Sequence, residues 1–189
     1  MTSVKHLAAL LLVLSAGLAT MGCGPSSSSA RGATPAGPGA AATALRGAPE
    51  HARLRVEIAA VEGRRPSDAA LALLRQRLEE RTDHPGGVEV VVDDVLEPTG
   101  RAVHTLDQVR ALEAFHRDGW PTDEVGVVHV LYLDGAADPS LGDHLVGAAF
   151  GPTSIVIFLD AISASVGGAP RRMTEVERWT LVHEAGHVL

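Results

Sequence analysis

Apolar and polar residues alternate along Leu54-Arg55-Val56-Glu57-Ile58, the period of a half-buried strand. The period changes after Ser67. Leu71, Leu74 and Leu78 recur at helical spacing through Arg81, and Ser67 is placed to cap that helix. His84-Pro85-Gly86-Gly87 ends it. Val88 to Val92 predicts a second strand. Thr105 or Asp107 opens a shorter helix with Val109, Leu112 and Phe115 on one face. Val125 to Leu133 is a nearly continuous apolar run with β-branched content, as in a central strand buried on both faces. Two shorter runs, Leu145 to Phe150 and Ser154 to Leu159, flank Gly151-Pro152. Thr174-Glu175-Val176-Glu177 then has the form of a capping box and predicts a last helix running to Leu189. The order is strand, helix, strand, helix, three strands, helix. That is an α/β or α+β chain, a mixed sheet with helices packed on it. No internal repeat is visible.

The pattern is different before residue 51. Lys5 and His6 precede an apolar run from Leu7 to Leu18, too short to span a bilayer comfortably, and Ala19-Thr20-Met21-Gly22-Cys23 follows. Residues 1–22 therefore read as a signal peptide. The order resembles a bacterial lipoprotein signal, which implies lipidation of Cys23 as the first mature residue; Thr20 departs from the usual leucine three positions before the cysteine. An ordinary secretory leader is the alternative. Either way the protein is exported, as a membrane-anchored lipoprotein or a periplasmic or extracellular protein. Residues 23–50 are rich in Ser, Ala, Gly and Pro and cannot offset the entropy of ordering, so they read as a tether. Residues 51–189 form the folded domain.

Composition narrows the function classes. The net charge is −7, and the only lysine, Lys5, lies in the leader. No stretch has the dense basic character of a nucleic-acid surface, so no nucleic-acid partner is expected. The single cysteine excludes an internal disulfide and a thiolate zinc cage. Aromatics make up 3%, which leaves the core to Val, Leu, Ile and Ala.

The chemistry is concentrated in the last helix. Leu181, Val182, Ala185, Val188 and Leu189 form one stripe, and Val176, Thr180, His183 and His187 another. A helix apolar on so much of its circumference is expected to be largely buried. His183 and His187 stand one turn apart on one face, about 5–6 Å between Cβ atoms. Two imidazoles so placed can converge on one zinc ion at about 2.0–2.1 Å each. Glu184 follows the first histidine and leans toward the position of a metal-activated water, as a general base. Gly186 is expected to keep the helix thin beside the site.

Leu181-Val182-His183-Glu184-Ala185-Gly186-His187-Val188-Leu189 resembles the active-site helix of the zincin metallopeptidases, and more narrowly of the metzincins. The resemblance implies a zinc-dependent metalloendopeptidase acting on a peptide or protein substrate, with Zn2+ held by His183 and His187 and with Glu184 catalytic. It also implies a mixed twisted sheet with an antiparallel edge strand, here Leu145 to Phe150, whose residues Ala148, Ala149 and Phe150 would hold the substrate backbone. In layout it covers residues 52–189; in sequence it is specific only over the last nine. Metzincins continue with a glycine three residues after the second histidine and a third ligand three residues further. Those positions fall past Leu189, so the expectation is a fragment or a truncated reading frame. The competing expectations are a non-catalytic exported lipoprotein that keeps the fold as a binding module, and a zinc hydrolase acting on a non-peptide amide.

Other residues carry less chemistry. His129 reads as a core or edge histidine and Trp179 as core, His144 and Arg171-Arg172 as solvated loop, and Asp93-Asp94 as a strand-end turn.

Overall fold

The structure is a computed structural model and describes residues 52–189. The leader, the tether and Cys23 lie outside the described residues.

Nine residues, Arg53–Val61, form β1. Helix α1, Asp68–Arg81, is capped as expected, with the Ser67 side chain accepting from the Ala70 amide. Strand β2 is Val88–Leu96. Helix α2, Leu106–His116, opens on a capping box between Thr105 and Gln108. Strand β4, Val125–Leu133, is buried along almost its whole length. Strands β6, Gly147–Gly151, and β7, Ser154–Phe158, follow. Four short elements escaped the hydrophobic pattern: β3 at Val103–His104, β5 at Ala136–Ala137, a 3-10 turn at Pro139–Leu141, and helix α3 at Leu159–Ser165. Helix α4, Pro170–Val188, closes the described chain.

The main sheet runs β2-β1-β4-β7-β6. Strands β2, β1, β4 and β7 are parallel, and β6 pairs antiparallel to β7 at one edge. The expected mixed sheet with an antiparallel edge strand is therefore the observed one. The edge strand begins at Gly147 rather than Leu145, and a register shift between Ala149 and Gly151 places a bulge at Phe150. β3 and β5 pair separately.

The alternation of side chains divides the core between the two faces of the sheet. Leu54, Val56, Ile58, Val128, Val130, Ile155 and Ile157 pack with α1 and α4 on one face. Leu131, Leu133, Val156 and Phe158 pack with Val109 of α2 on the other. His129 is a core residue, 1% exposed.

Several expectations fail. The capping box at Thr174 does not form. Gly167 and Gly168, both with positive φ, turn the chain, and Pro170 takes the first helical position, which suits its fixed φ and missing N–H. Helix α4 thus starts a turn early. Thr174 lies inside it and donates to the Pro170 carbonyl, while Glu177 reaches across to accept from the Ser67 amide at 2.9 Å. Arg171 and Arg172 are exposed in the first helical turn, not in a loop. Asp93 and Asp94 lie within β2, where Asp93 pairs with Arg55 and Asp94 with His116. Trp179 is 44% exposed and Phe115 83%, so neither is core.

Candidate metal centre and peptide groove

Helix α4 buries only one side. Glu177, Leu181, Glu184, Ala185 and Val188 face inward, while His183 and His187 are exposed. The helix is therefore less enclosed than its two apolar stripes imply. The heptad-like spacing of Leu181, Ala185 and Val188 aims that side at the sheet and at α1, and this places the imidazoles along the open flank.

The two rings converge. His183 Nε2 and His187 Nε2 are 3.1 Å apart, with the ring planes nearly perpendicular. Two nitrogens at about 2.0–2.1 Å from one tetrahedral zinc stand roughly 3.3 Å apart, so this pair fits a shared cation. The donor set is incomplete: no group of three His, Cys, Asp or Glu side chains among the described residues is placed to hold a metal. His144, in a turn with φ of 59°, is a solvated loop residue, as expected.

Glu184 points elsewhere than its neighbours. Its carboxylate is buried against β6, where Oε2 accepts from the Ala149 amide at 2.9 Å. What allows this approach is Gly147. A Cβ at Gly147 would meet Thr180 Cγ2 at 2.6 Å, Ile157 Cδ1 at 3.1 Å and Glu184 Cγ at 3.3 Å. The bare backbone lets α4 lie directly on the edge strand. The sequence offers only a weak signal for this, a glycine inside an otherwise apolar strand. Gly186, by contrast, has open space where its Cβ would be, so no described neighbour requires a glycine there.

A groove of about 450 Å³ runs between β6 and the motif, lined by Gly147, Ala148, Ala149, His183, Glu184 and His187 among others. Of the predicted substrate-contacting residues, Ala148 and Ala149 line it. Phe150 does not; it packs toward the α2 face of the sheet. An adjoining recess of about 540 Å³ is lined by Val146, Trp179, Val182 and the motif residues His183 and Glu184. Trp179 thus belongs to the rim of the site. Its indole N–H donates to Glu175, and two guanidinium groups, of Arg77 and Arg178, lie about 6 Å from its ring. A further recess, about 620 Å³ between the end of β2 and α2, includes none of the motif residues.

Behind the β6–β7 turn lies a buried polar cluster. The Arg117 guanidinium donates to Glu113 at 2.7 Å, Thr153 at 2.8 Å and Ser154 at 3.2 Å, and it stacks on Trp120 at 3.9 Å. Ser154 donates to Glu113 in turn. Burial presses the Arg117 pKa down, and Glu113 opposes that shift. The cluster anchors the start of β7, and through it the turn that carries β6.

No family model and no curated protein matches the chain in sequence. Among solved structures, archaemetzincin from Methanopyrus kandleri is similar, at 17% identity and a TM-score of 0.47, over 72% of this chain and 73% of that one.

Proposed function

We propose that the described domain carries the metal-binding helix and the substrate strand of a zinc-dependent metallopeptidase. The observation that supports this most is the convergence of His183 and His187 at 3.1 Å beside a groove whose wall is the edge strand β6. In this reading both Nε2 atoms hold zinc, and a third ligand comes from beyond Leu189. Zinc bound there would supply Lewis acidity and bring the pKa of a bound water to about 7. Glu184 takes a proton from the water that attacks the scissile carbonyl and delivers it to the leaving amine. Backbone groups of β6 hold the peptide as an added strand. The recess at Val146, Trp179 and Val182 receives an apolar side chain next to the scissile bond.

Metal analysis and a peptide-cleavage assay, on this chain and on one extended past Leu189, test the reading. Glu184→Gln is expected to keep the metal and lose hydrolysis by at least a hundredfold, since it removes the base and no ligand. His183→Ala is expected to lose both. Zinc should bind far more weakly to the 189-residue chain than to the extended one. Full activity in the short chain would mean that a third ligand lies within it, with His129 and His144 the first to test.

The second reading is a non-catalytic exported lipoprotein that uses this fold for binding. The two-donor set among the described residues favours it. Equal, weak zinc binding by short and extended chains, with no cleavage, would establish it. Either reading admits a lipid on Cys23 that tethers the domain to a membrane, with an ordinary secretory leader as the alternative; among the described residues no helix is long and apolar enough to cross one. Fatty-acid labelling of wild type and its loss in Cys23→Ser is the expected result. Label retained in the variant would reduce Cys23 to an incidental thiol.

A further inference from the structure

Strand β6 is the last strand of the sheet, and its ladder with β7 shows which of its amides face outward. The Phe158 amide donates to the Val146 carbonyl, and Ala148 pairs with Val156 two residues further along. In an antiparallel ladder the hydrogen-bonded pairs alternate with pairs whose N–H and C=O point away. Gly147 and Ala149 fall on the outward set. An incoming peptide strand needs those same groups. The Ala149 amide, however, is already engaged: it donates to Glu184 Oε2 at 2.9 Å. The group that would act as base thus occupies the donor that would receive the substrate.

We propose that β6 parks the Glu184 carboxylate on the Ala149 amide, and that a peptide strand pairing along β6 takes over that amide and releases the carboxylate into the groove. The proposal rests on the reading of β6 as a peptide-binding edge. The exchange leaves no donor unsatisfied, because a peptide carbonyl replaces the carboxylate on the same N–H. Gly147 permits the contact, since a Cβ there would lie 3.3 Å from Glu184 Cγ. Freed from Ala149, the carboxylate has the open groove lined by His183 and His187 to move into. The base is then available when a peptide is in register, and held back when none is.

The test uses the full chain in EDTA, so that nothing is cleaved. The probe is a fluorescein-labelled, acetylated hexapeptide of alternating Val and Thr. Glu184→Ala frees the amide and is expected to bind the probe three- to tenfold more tightly than wild type. Glu184→Gln keeps an acceptor oxygen and is expected to bind within twofold of wild type. Hydrogen exchange at the Ala149 amide should be at least tenfold faster in Glu184→Ala, and should slow again when the probe is added. In wild type, which removes any question of folding, the probe should shift both the Ala149 amide and the Glu184 side-chain carboxyl carbon. An unmoved Glu184 carboxyl signal beside a shifted Ala149 amide would overturn the exchange and leave the edge-strand reading intact, as would equal affinity in all three proteins. A probe that binds none of them and leaves Ala149 unaffected would overturn both.

Discussion

At the scale of single residues, His129 shows how burial alone sets a chemical property. Its ring is 1% exposed, and neither nitrogen has a partner in hydrogen-bond geometry among the described residues. Burial first, and the Arg117 charge second, push its pKa down to about 4, against the opposing effect of Glu113. The unfolded chain binds a proton near pH 6.5 that the folded chain refuses. The native state is therefore unpenalised above about pH 7 and loses stability as the pH falls from 6.5 toward 4, by about 3 kcal/mol at the lower end. Glu57, Glu113, Arg117 and His116 are the other charged or ionisable side chains of this region. His129→Leu should flatten the slope between pH 7 and 4.5 in urea-unfolding free energies. The same slope in the variant would assign the acid loss to the surrounding carboxylates. The sequence placed His129 in an apolar run as a core or edge histidine, and the structure buries it. It could not show that Arg117, at the end of α2, folds back beside it.

At the scale of elements, the contact between β6 and α4 carries the site. Gly147→Ala places a methyl 2.6 Å from Thr180 Cγ2, and a β-strand backbone backed by β7 cannot retreat. A cost of about 1–3 kcal/mol is expected for such overpacking. Thr180→Ser removes the opposing methyl and should recover at least half of that loss in the double variant, as read from thermal or urea unfolding. If the two changes add without recovery, the clash is not what the glycine avoids. Helix starts divide in the same way between local and non-local causes. Ser67 and Thr105 cap their helices as their spacing predicts, because a cap needs only its own first turn. Thr174 has the same local signature and fails, since Pro170 and the preceding glycines had already begun the helix. Glu177, released from that duty, bonds the Ser67 amide and ties α4 to the start of α1.

At the scale of the whole molecule, protection should follow position in the sheet. β1 and β4 lie inside it with helices on both faces, while β6 has one paired side. Amide exchange is expected to be slowest in β1 and β4 and markedly faster in β6, with Ala149 the exception because Glu184 holds it. Uniform slow exchange along β6 at micromolar protein would mean that another chain pairs with the edge. The covering of the sheet is unequal too. α1 and α4 close one face, while the other has α2, from which Phe115 projects almost fully exposed. Phe115→Lys should change the unfolding free energy by less than about 0.5 kcal/mol, as expected of a side chain with little surface to lose. A larger loss would show that the ring is covered in solution.

Periodicity by itself determined the principal strands, the first two helices with their caps, the buried place of β4, and the pairing of two imidazoles one turn apart with a carboxylate between them. Those are local properties, written within a few residues by the strand and helix periods. Tertiary structure decided the rest. It set the order of strands in the sheet, which face of α4 is covered, the polar cluster around Arg117, the displacement of Trp179 to the rim, and the contact of Glu184 with Ala149 through Gly147. Each of these depends on residues tens of positions apart meeting across a packed interface. No local spacing encodes such a meeting, because packing selects it only after the elements have formed.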